Sequence, residues 1–465
     1  MASLAGSRIL VIGGTSGIGL GVARAAMAEG AQVTVASSNQ DRVDPPEIQM
    51  EDAMFGWLQL DHIERPDADV YMATLIRALV AAGEQGPLLC LDLFPGNARS
   101  VFIATSDAHW AGAGLLEGLL RRFEAAQAHV TVYYEPPQTP TWRRYARRAR
   151  WAAGQWPLVG SSVRSEFAPP SPALVREWRA RGHEFVPHPV VADGLYRGLD
   201  HVWQSFADDG YGIEASTVRT HSVLWTGWVE TSRALRERGV RMSLDAYATG
   251  LGLRRRDGSF AHGHLIGSGL PARFVDERGA LIDSFEQPTQ LVDEQLLGVA
   301  GGMENLTGVQ AADVLAGLLD RALATWPAAI AGIFHADNFA PGLGGETEAG
   351  AFIEHSMALC RQRGVPVLTA GAWLKFVDAR RAVEAVSRSW DAGTGRLSCT
   401  VEVPATIGPG VGVLLPPTCR GAGLRDVRID GAPVTPEPFS RAGQTWARVL
   451  AHPGTVRLEL TYATT

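Results

Sequence analysis

Four short segments concentrate the residue types that do chemistry: Thr105-Ser106-Asp107-Ala108-His109, Gly182-His183-Glu184-Phe185-Val186-Pro187-His188, Arg219-Thr220-His221 and Phe334-His335-Ala336-Asp337-Asn338. Imidazole is the commonest protein ligand for zinc-like ions and the side chain that exchanges a proton near neutrality, and a carboxylate can serve as a base. Asp107 and His109 stand two positions apart, so on an extended chain both project from one face. An acid, an arginine and several histidines spread in this way point to metal-assisted or acid–base chemistry. They reach one another only if the fold gathers distant segments.

The elements that must do the gathering are strands. Between Pro87 and about Val386, short apolar runs (Leu88–Leu93, Ser100–Thr105, Val130–Tyr134, Glu184–Pro187, Gly239–Leu244, Ile330–His335, Val365–Thr369) alternate with helical patterns. Such alternation over about 250–300 residues suits a (β/α) barrel, where function collects at the carboxyl ends of the strands. The four segments each follow or end such a run. Before this region, Arg8–Gly13, an alanine-rich stretch to Glu29 and Gln32–Ala36 read as a Rossmann-like βαβ segment. A helix is expected over Asp67–Ala82. After Ser387, alternating runs at Leu397–Val403, Gly412–Leu415, Val427–Ile429 and Val456–Tyr462, with Asp430-Gly431 as a hairpin turn, read as a β-sandwich-like domain. The expected class is therefore α/β, divided at 1–86, 87–386 and 387–465.

The loop Gly13-Gly14-Thr15-Ser16-Gly17-Ile18-Gly19 lies between a strand and a helix, where backbone amides can hold a pyrophosphate. It resembles the T-G-x-x-x-G-x-G loop of short-chain dehydrogenases, with Ile12 in the place of the usual threonine, over about forty residues. That resemblance implies NAD(P) held at Gly13, Gly17 and Gly19. It stops there: the N-A-G segment is absent, and the Tyr-x-x-x-Lys pair cannot be built because Lys375, the one lysine, has Gly371 four positions before it. Without that tyrosine and lysine, hydride transfer lacks its proton donor. A structural strand-turn-helix is the expected use of the loop.

In order and spacing the four segments resemble the polysaccharide deacetylase (carbohydrate esterase) family over about residues 95–375. Thr105 to His109 stands where that family has T-F-D-D-G, Gly182 to His188 where it has G-H-E-I-G-x-H, Arg219 where its arginine motif begins, and His335 at its late histidine. The resemblance implies an incomplete (β/α) barrel and metal-dependent removal of N- or O-acyl groups from sugars. Two ligand positions depart from it, since the second aspartate falls on Ala108 and the second histidine of H-[ST]-x-x-H on Ala192. In the D-x-D register of a relative, His109 takes the ligand place while Asp107 keeps that of the base, and His221 replaces the lost histidine. The implied ligands are then His109, His188 and His221, three imidazoles that suit zinc or another divalent ion and leave a position for water. Asp107 would take a proton from water acidified toward a pKa of about 7, Arg219 would orient Asp107, and His335 would protonate the leaving amine or alkoxide. Asp337 would orient His335 or cap the next turn. Trp110, Trp225, Trp228 and Tyr247 are candidate walls for a sugar ring, with core packing as their commoner use. Gly267–Glu294, with Arg273, Asp276, Gln287, Gln290 and Asp293, reads as a polar excursion that lines the cleft.

Composition narrows the classes. The 465 residues are 46% hydrophobic and 20% charged, as in folded globular proteins. A net charge of −7 lacks the footprint of a nucleic-acid binder; the cluster Arg143, Arg144, Arg147, Arg148 and Arg150 is the exception and reads as a solvated helix face. Four cysteines without a C-x-x-C pair indicate neither a disulfide framework nor a thiolate zinc knuckle. No signal peptide or membrane span is read, so a cytoplasmic protein with a small-molecule or carbohydrate substrate is expected. The rival functions are a decayed, non-catalytic carbohydrate-binding scaffold and an NAD(P)-dependent oxidoreductase.

Overall fold

The computed structural model describes residues 8–12, 17–36, 60–83, 86–109, 111–137, 168–247, 253–264, 267–298, 303–340, 345–441 and 444–463. Two compact units divide after Leu58. In the first, strands β1 (Arg8–Ile12) and β2 (Gln32–Ala36) run parallel around helix α1 (Gly17–Ala28), Arg8 facing Gln32 and Ile12 facing Ala36. Gly17 and Gly19 lie in the first turn of α1. Gly13 falls outside the described residues.

The second unit, Gln59–Thr465, holds every other candidate residue. Helix α2 (Asp67–Gly83) and strand β3 (Cys90–Pro95) precede the central strand β4 (Val101–His109), after which come α3 (Ala113–Ala125), β5 (Thr131–Glu135), α4 (Pro172–Ala180), β6 (Glu184–Pro187) and α5 (Leu195–Asp209). Then follow β7 (Thr217–Val218), α6 (Glu230–Arg236), β8 (Met242–Ser243), β9 (Phe285–Glu286), β10 (Leu291–Val292) and α7 (Asp293–Leu296). Helix α8 (Gly308–Ala324), β11 (Ala329–Ile333), α9 (Glu346–Gln362), β12 (Val367–Leu368) and α10 (Ala370–Arg381) complete the α/β part.

Strands β10, β11, β4, β5 and β6 form one parallel sheet in that order, with β12 also on β4, and β7, β8 and β9 form a second parallel sheet. The expected closed barrel is therefore not one continuous ladder: among the described residues β6 and β7 are not paired. What the barrel reading needed does survive, because parallel strands end at the same rim.

Alternation along β4 decides which side chains reach that rim. Phe102, Ala104 and Ala108 point into an apolar core with Leu116, Leu119, Leu120 and Phe123 of α3, Leu315, Leu318 and Leu319 of α8, and Phe352 and Ile353 of α9. Val101 and Ile103, on the opposite face, enter a second core, and Thr105, Asp107 and His109 continue that face with polar groups. Sequence caps sharpen the helix starts: Thr307 and Gln310 form a capping box on α8, and Ser171 and Thr369 cap α4 and α10.

The C-terminal region forms two antiparallel sheets. One contains Glu384–Asp391, Arg396–Val403, Gly454–Ala463 and Ala422–Ile429, and the other contains Glu437–Arg441, Gln444–Ala451 and Val411–Leu415. Asp430 and Gly431 both have positive φ, as the expected hairpin turn requires. The sequence reading gave Leu88–Leu93 to the α/β region. In the structure β3 instead pairs antiparallel with Val411–Leu415, and its buried Asp92 lies 3.0 Å from the equally buried guanidinium of Arg448. The second core runs on through Val413, Leu415, Val449, Leu458 and Leu460. Among the described residues no helix is long and apolar enough to cross a membrane.

Candidate metal centre

Because their strands are parallel, the ends of β4, β5, β6, β7, β10 and β11 deliver their next residues to one place. His109 ends β4, His188 follows β6, Arg219 to His221 follow β7, and His335 lies just beyond β11. Ring centroids are 5.1 Å apart for His109 and His188, 4.5 Å for His109 and His221, and 5.5 Å for His188 and His221. One ligand nitrogen from each lies within 4.8 Å of the other two.

Two of the rings are fixed by a hydrogen bond at Nδ1, and a carboxylate stands near that atom of the third. His188 Nδ1 donates to the backbone carbonyl of Arg219 at 2.8 Å, His221 Nδ1 donates to Glu135 Oε2 at 2.7 Å, and His109 Nδ1 lies 3.4 Å from Asp337 Oδ2. A proton held at Nδ1 leaves Nε2 with its lone pair, which is the arrangement of metal-binding histidines. The Nε2 atoms of His109 and His188 are 3.2 Å apart. With His188 protonated at Nδ1, this approach is bridged either by a proton on His109 Nε2 or by a cation, and tetrahedral zinc with bonds of about 2.0–2.1 Å separates neighbouring nitrogens by roughly 3.3 Å. The residues present fit a borderline divalent ion. Full burial pushes His188 down to about 4, so its imidazole is neutral at ordinary pH, whereas the hydrogen bond that His221 donates to Glu135 raises His221. The backbone supports this placement: His221 N donates to Pro189 O at 2.8 Å, and Ser222 and Val223 follow with positive φ, a strained conformation for a β-branched residue.

Asp107 lies on the same face of β4 as His109 and is buried. Burial opposes its charge, but the Arg219 guanidinium, with Nη1 2.9 Å from Oδ1, holds the carboxyl well below the ordinary range. Arg219 is itself completely buried, and its other donors go to Thr105 Oγ1, Leu244 O and Thr289 Oγ1 at 2.8, 3.0 and 3.0 Å. Among the described residues no hydrogen bond engages Asp107 Oδ2. Asp107 therefore offers one constrained oxygen and one available oxygen beside the imidazoles.

His335 closes the rim opposite, its ring 5.2 Å from that of His109. Its Nδ1 lies 2.6 Å from Asp293 Oδ1, and Asp293 Oδ2 accepts from His335 N and from Asn338 Nδ2. Burial would lower its pKa, yet Asp293 and then Glu294 outweigh it and push His335 up to about 10. His335 thus keeps a proton at neutral pH.

Beneath His221, Asp245 Oδ1 accepts from Thr220 N at 2.7 Å and from Thr220 Oγ1 at 3.0 Å. Asp245 shares the interior with Glu286, which accepts from Ser243 Oγ and Ala246 N. Burial raises both carboxyls, Asp245 to about 7 with Asp107 adding to the effect, and Glu286 to about 8 with Asp245 adding to it. Of this pair, Asp245 holds the middle residue of the tripeptide that carries Arg219 and His221.

The structure thus brings together His109, His188, His221, Asp107, Arg219 and His335. It reassigns Asp337, which accepts from His109 N at 3.0 Å, because the acid beside His335 is Asp293. Ala108 points into the apolar core, so its side of β4 could not have served a ligand. His183 lies at the start of β6, the opposite rim, where it accepts from Val130 N and meets Glu124. His262 pairs with Glu304, and His355 bonds Ala351 O on the outside of α9. Trp110 and the arginine cluster fall outside the described residues. Tyr247 packs near Asp107, while Trp225 and Trp228 meet Phe274 on the excursion hairpin. Glu135, Asp245, Glu286 and Glu294 were not singled out from sequence, and Asp293 was read only as part of the polar excursion that lines the cleft. Position directly after or at the end of a strand was the available signal for Glu135 and Asp293.

No protein-family model matches the sequence, and a comparison with curated proteins finds no match. Among solved structures, a family 4 carbohydrate esterase from Streptomyces lividans in complex with acetate aligns at 10% identity with a TM-score of 0.30, over 59% of this chain and 92% of that one. A structure described provisionally as a polysaccharide deacetylase involved in O-antigen biosynthesis, from Bordetella bronchiseptica, aligns at 15% identity with a TM-score of 0.27, over 57% of this chain and 85% of that one.

Proposed function

We propose that this chain is a metal-dependent hydrolase that removes an acyl group from a carbohydrate or a related amide or ester. The observation that carries the reading is the set of three imidazoles with a ligand nitrogen from each within 4.8 Å of the others, two of the rings being held by an oxygen at Nδ1. His109, His188 and His221 would hold the ion, with zinc the first choice for a nitrogen-only set. When bound, such an ion supplies a water whose pKa is lowered toward about 7 and polarises the acyl carbonyl.

The remaining work falls to this chain's own groups. Asp107, ionised at every working pH, accepts the proton released by the attacking water at its available oxygen. Its low basicity means that it serves only a water already acidified. Arg219 fixes the carboxylate and keeps it charged inside the protein. His335 carries a proton that Asp293 stabilises, and delivers it from Nε2 to the leaving nitrogen or oxygen. Base and acid thus differ in charge because their partners differ, the arrangement a hydrolase requires. The carbohydrate class rests on the sequence resemblance. Elemental analysis tests the reading: about one zinc per chain, lost in His188→Ala and in His221→Ala, together with acetate release from acetylated sugars, is expected. Protein that takes up no divalent ion after reconstitution refutes it.

A further inference from the structure

We infer that Glu294 makes the site selective for amides over esters, so that the substrate is an N-acyl rather than an O-acyl compound; this rests on the hydrolase reading above. The neighbouring acids Asp293 and Glu294 address the two nitrogens of one imidazole. Asp293 Oδ1 holds His335 Nδ1 at 2.6 Å, while Glu294 Oε1 stands 3.6 Å from His335 Nε2. The second separation is longer than a hydrogen bond, so Glu294 acts on the imidazolium as a counter-charge and accepts no hydrogen bond from it. Among the described residues the Glu294 carboxylate accepts no hydrogen bond, and its side chain is 48% exposed. A ligand atom of Glu294 nevertheless lies within 4.8 Å of one from His109 and one from His335. An unspent acceptor therefore stands beside the atom from which the leaving group takes its proton.

The chemistry of the leaving atom decides what that acceptor favours. Water oxygen bonds to the acyl carbon and gives a proton to Asp107. The bond from acyl carbon to leaving atom breaks, and that atom takes the His335 Nε2 proton. The products are a carboxylic acid and an amine or alcohol, and the proton on Asp107 returns to His335 through solvent. A secondary amide nitrogen carries a hydrogen of its own, so it can donate to Glu294 while its lone pair meets His335. An ester oxygen has no hydrogen and turns only lone pairs toward the carboxylate. A site built to accept a substrate N–H discriminates strongly against the analogue that lacks it, since one face attracts and the other repels.

The test compares an N-acetylglucosaminide with the same glycoside carrying an O-acetyl group at that carbon, using zinc-loaded full-length protein. Glu294→Ala is expected to lower the ratio of amide to ester kcat/KM about tenfold or more with zinc content unchanged. Glu294→Gln, which keeps an acceptor oxygen, is expected to recover part of it. Equal losses on both substrates, or loss of zinc in Glu294→Ala, would overturn the proposal, the latter by making Glu294 a ligand. Binding of glucosamine against glucose, by calorimetry, provides a readout without turnover. Wild type should prefer the amine and Glu294→Ala should not; no preference in wild type overturns the proposal. Cleavage of neither substrate alongside a Glu294-dependent amine preference instead refutes the hydrolase reading.

Discussion

At the scale of single residues, the centre is defined by what each imidazole leaves free. Glu135 is the clearest case, because it holds the far nitrogen of His221 and so sets which nitrogen faces inward. Glu135→Gln should weaken zinc binding by about 10- to 100-fold without removing a ligand, measured by competition with a chromophoric chelator. Arg219 makes the opposite kind of contribution. Its guanidinium and Asp107 are both buried, so Arg219→Met leaves a carboxylate without its counter-charge. That substitution should cost about 3–5 kcal/mol in urea unfolding. Adding Asp107→Asn should recover part of it, because the stranded charge is then gone.

Elements set the geometry that these residues exploit. The turn Arg219-Thr220-His221 does three jobs within three positions, and Asp245 fixes its middle residue through two hydrogen bonds. Since Asp245 and Glu286 titrate at about 7 and about 8, the folded chain holds protons that the unfolded chain releases near pH 4. Between about pH 4 and pH 8 the native state therefore binds more protons, and this pair makes stability fall as pH rises, levelling off above about 8. Unfolding free energies measured across that window should fall less steeply in Asp245→Asn than in wild type, by up to roughly 1.4 kcal/mol per pH unit. An unchanged slope would mean that Asp245 is not protonated in the folded chain over that window.

For the whole molecule, the C-terminal sheets are part of the fold that builds the site. Strand β3 lies before the central sheet in sequence and inside a C-terminal sheet in space, and one apolar core contains Val101, Ile103 and Trp373 with Val413, Leu415 and Leu458. A chain ending at residue 386 would expose that core and leave Arg448's partner Asp92 buried without a counter-charge. It should be recovered as insoluble protein. Removing residues 1–58 is a contrasting test. Every residue of the centre lies in Gln59–Thr465, so the shortened chain should bind zinc in the wild-type ratio.

Sequence by itself determined which imidazole, carboxylate and guanidinium groups stand at or just beyond the strand ends. Asp107 and His109 share a face because strand periodicity is two, and the polar ending of an apolar run marks the rim of a parallel sheet. Local patterns of this kind also announced the βαβ start, the Asp430-Gly431 turn and the alternating strands of the C-terminal region. Tertiary structure alone decided the pairing of distant charges. Asp293 rather than Asp337 serves His335, Glu135 serves His221, and β3 leaves its neighbours in sequence for Val411–Leu415. Those choices depend on which side chains meet across sheets separated by tens or hundreds of residues. Spacing along the chain carries no information about such contacts, because their free energy exists only when the strands are already packed.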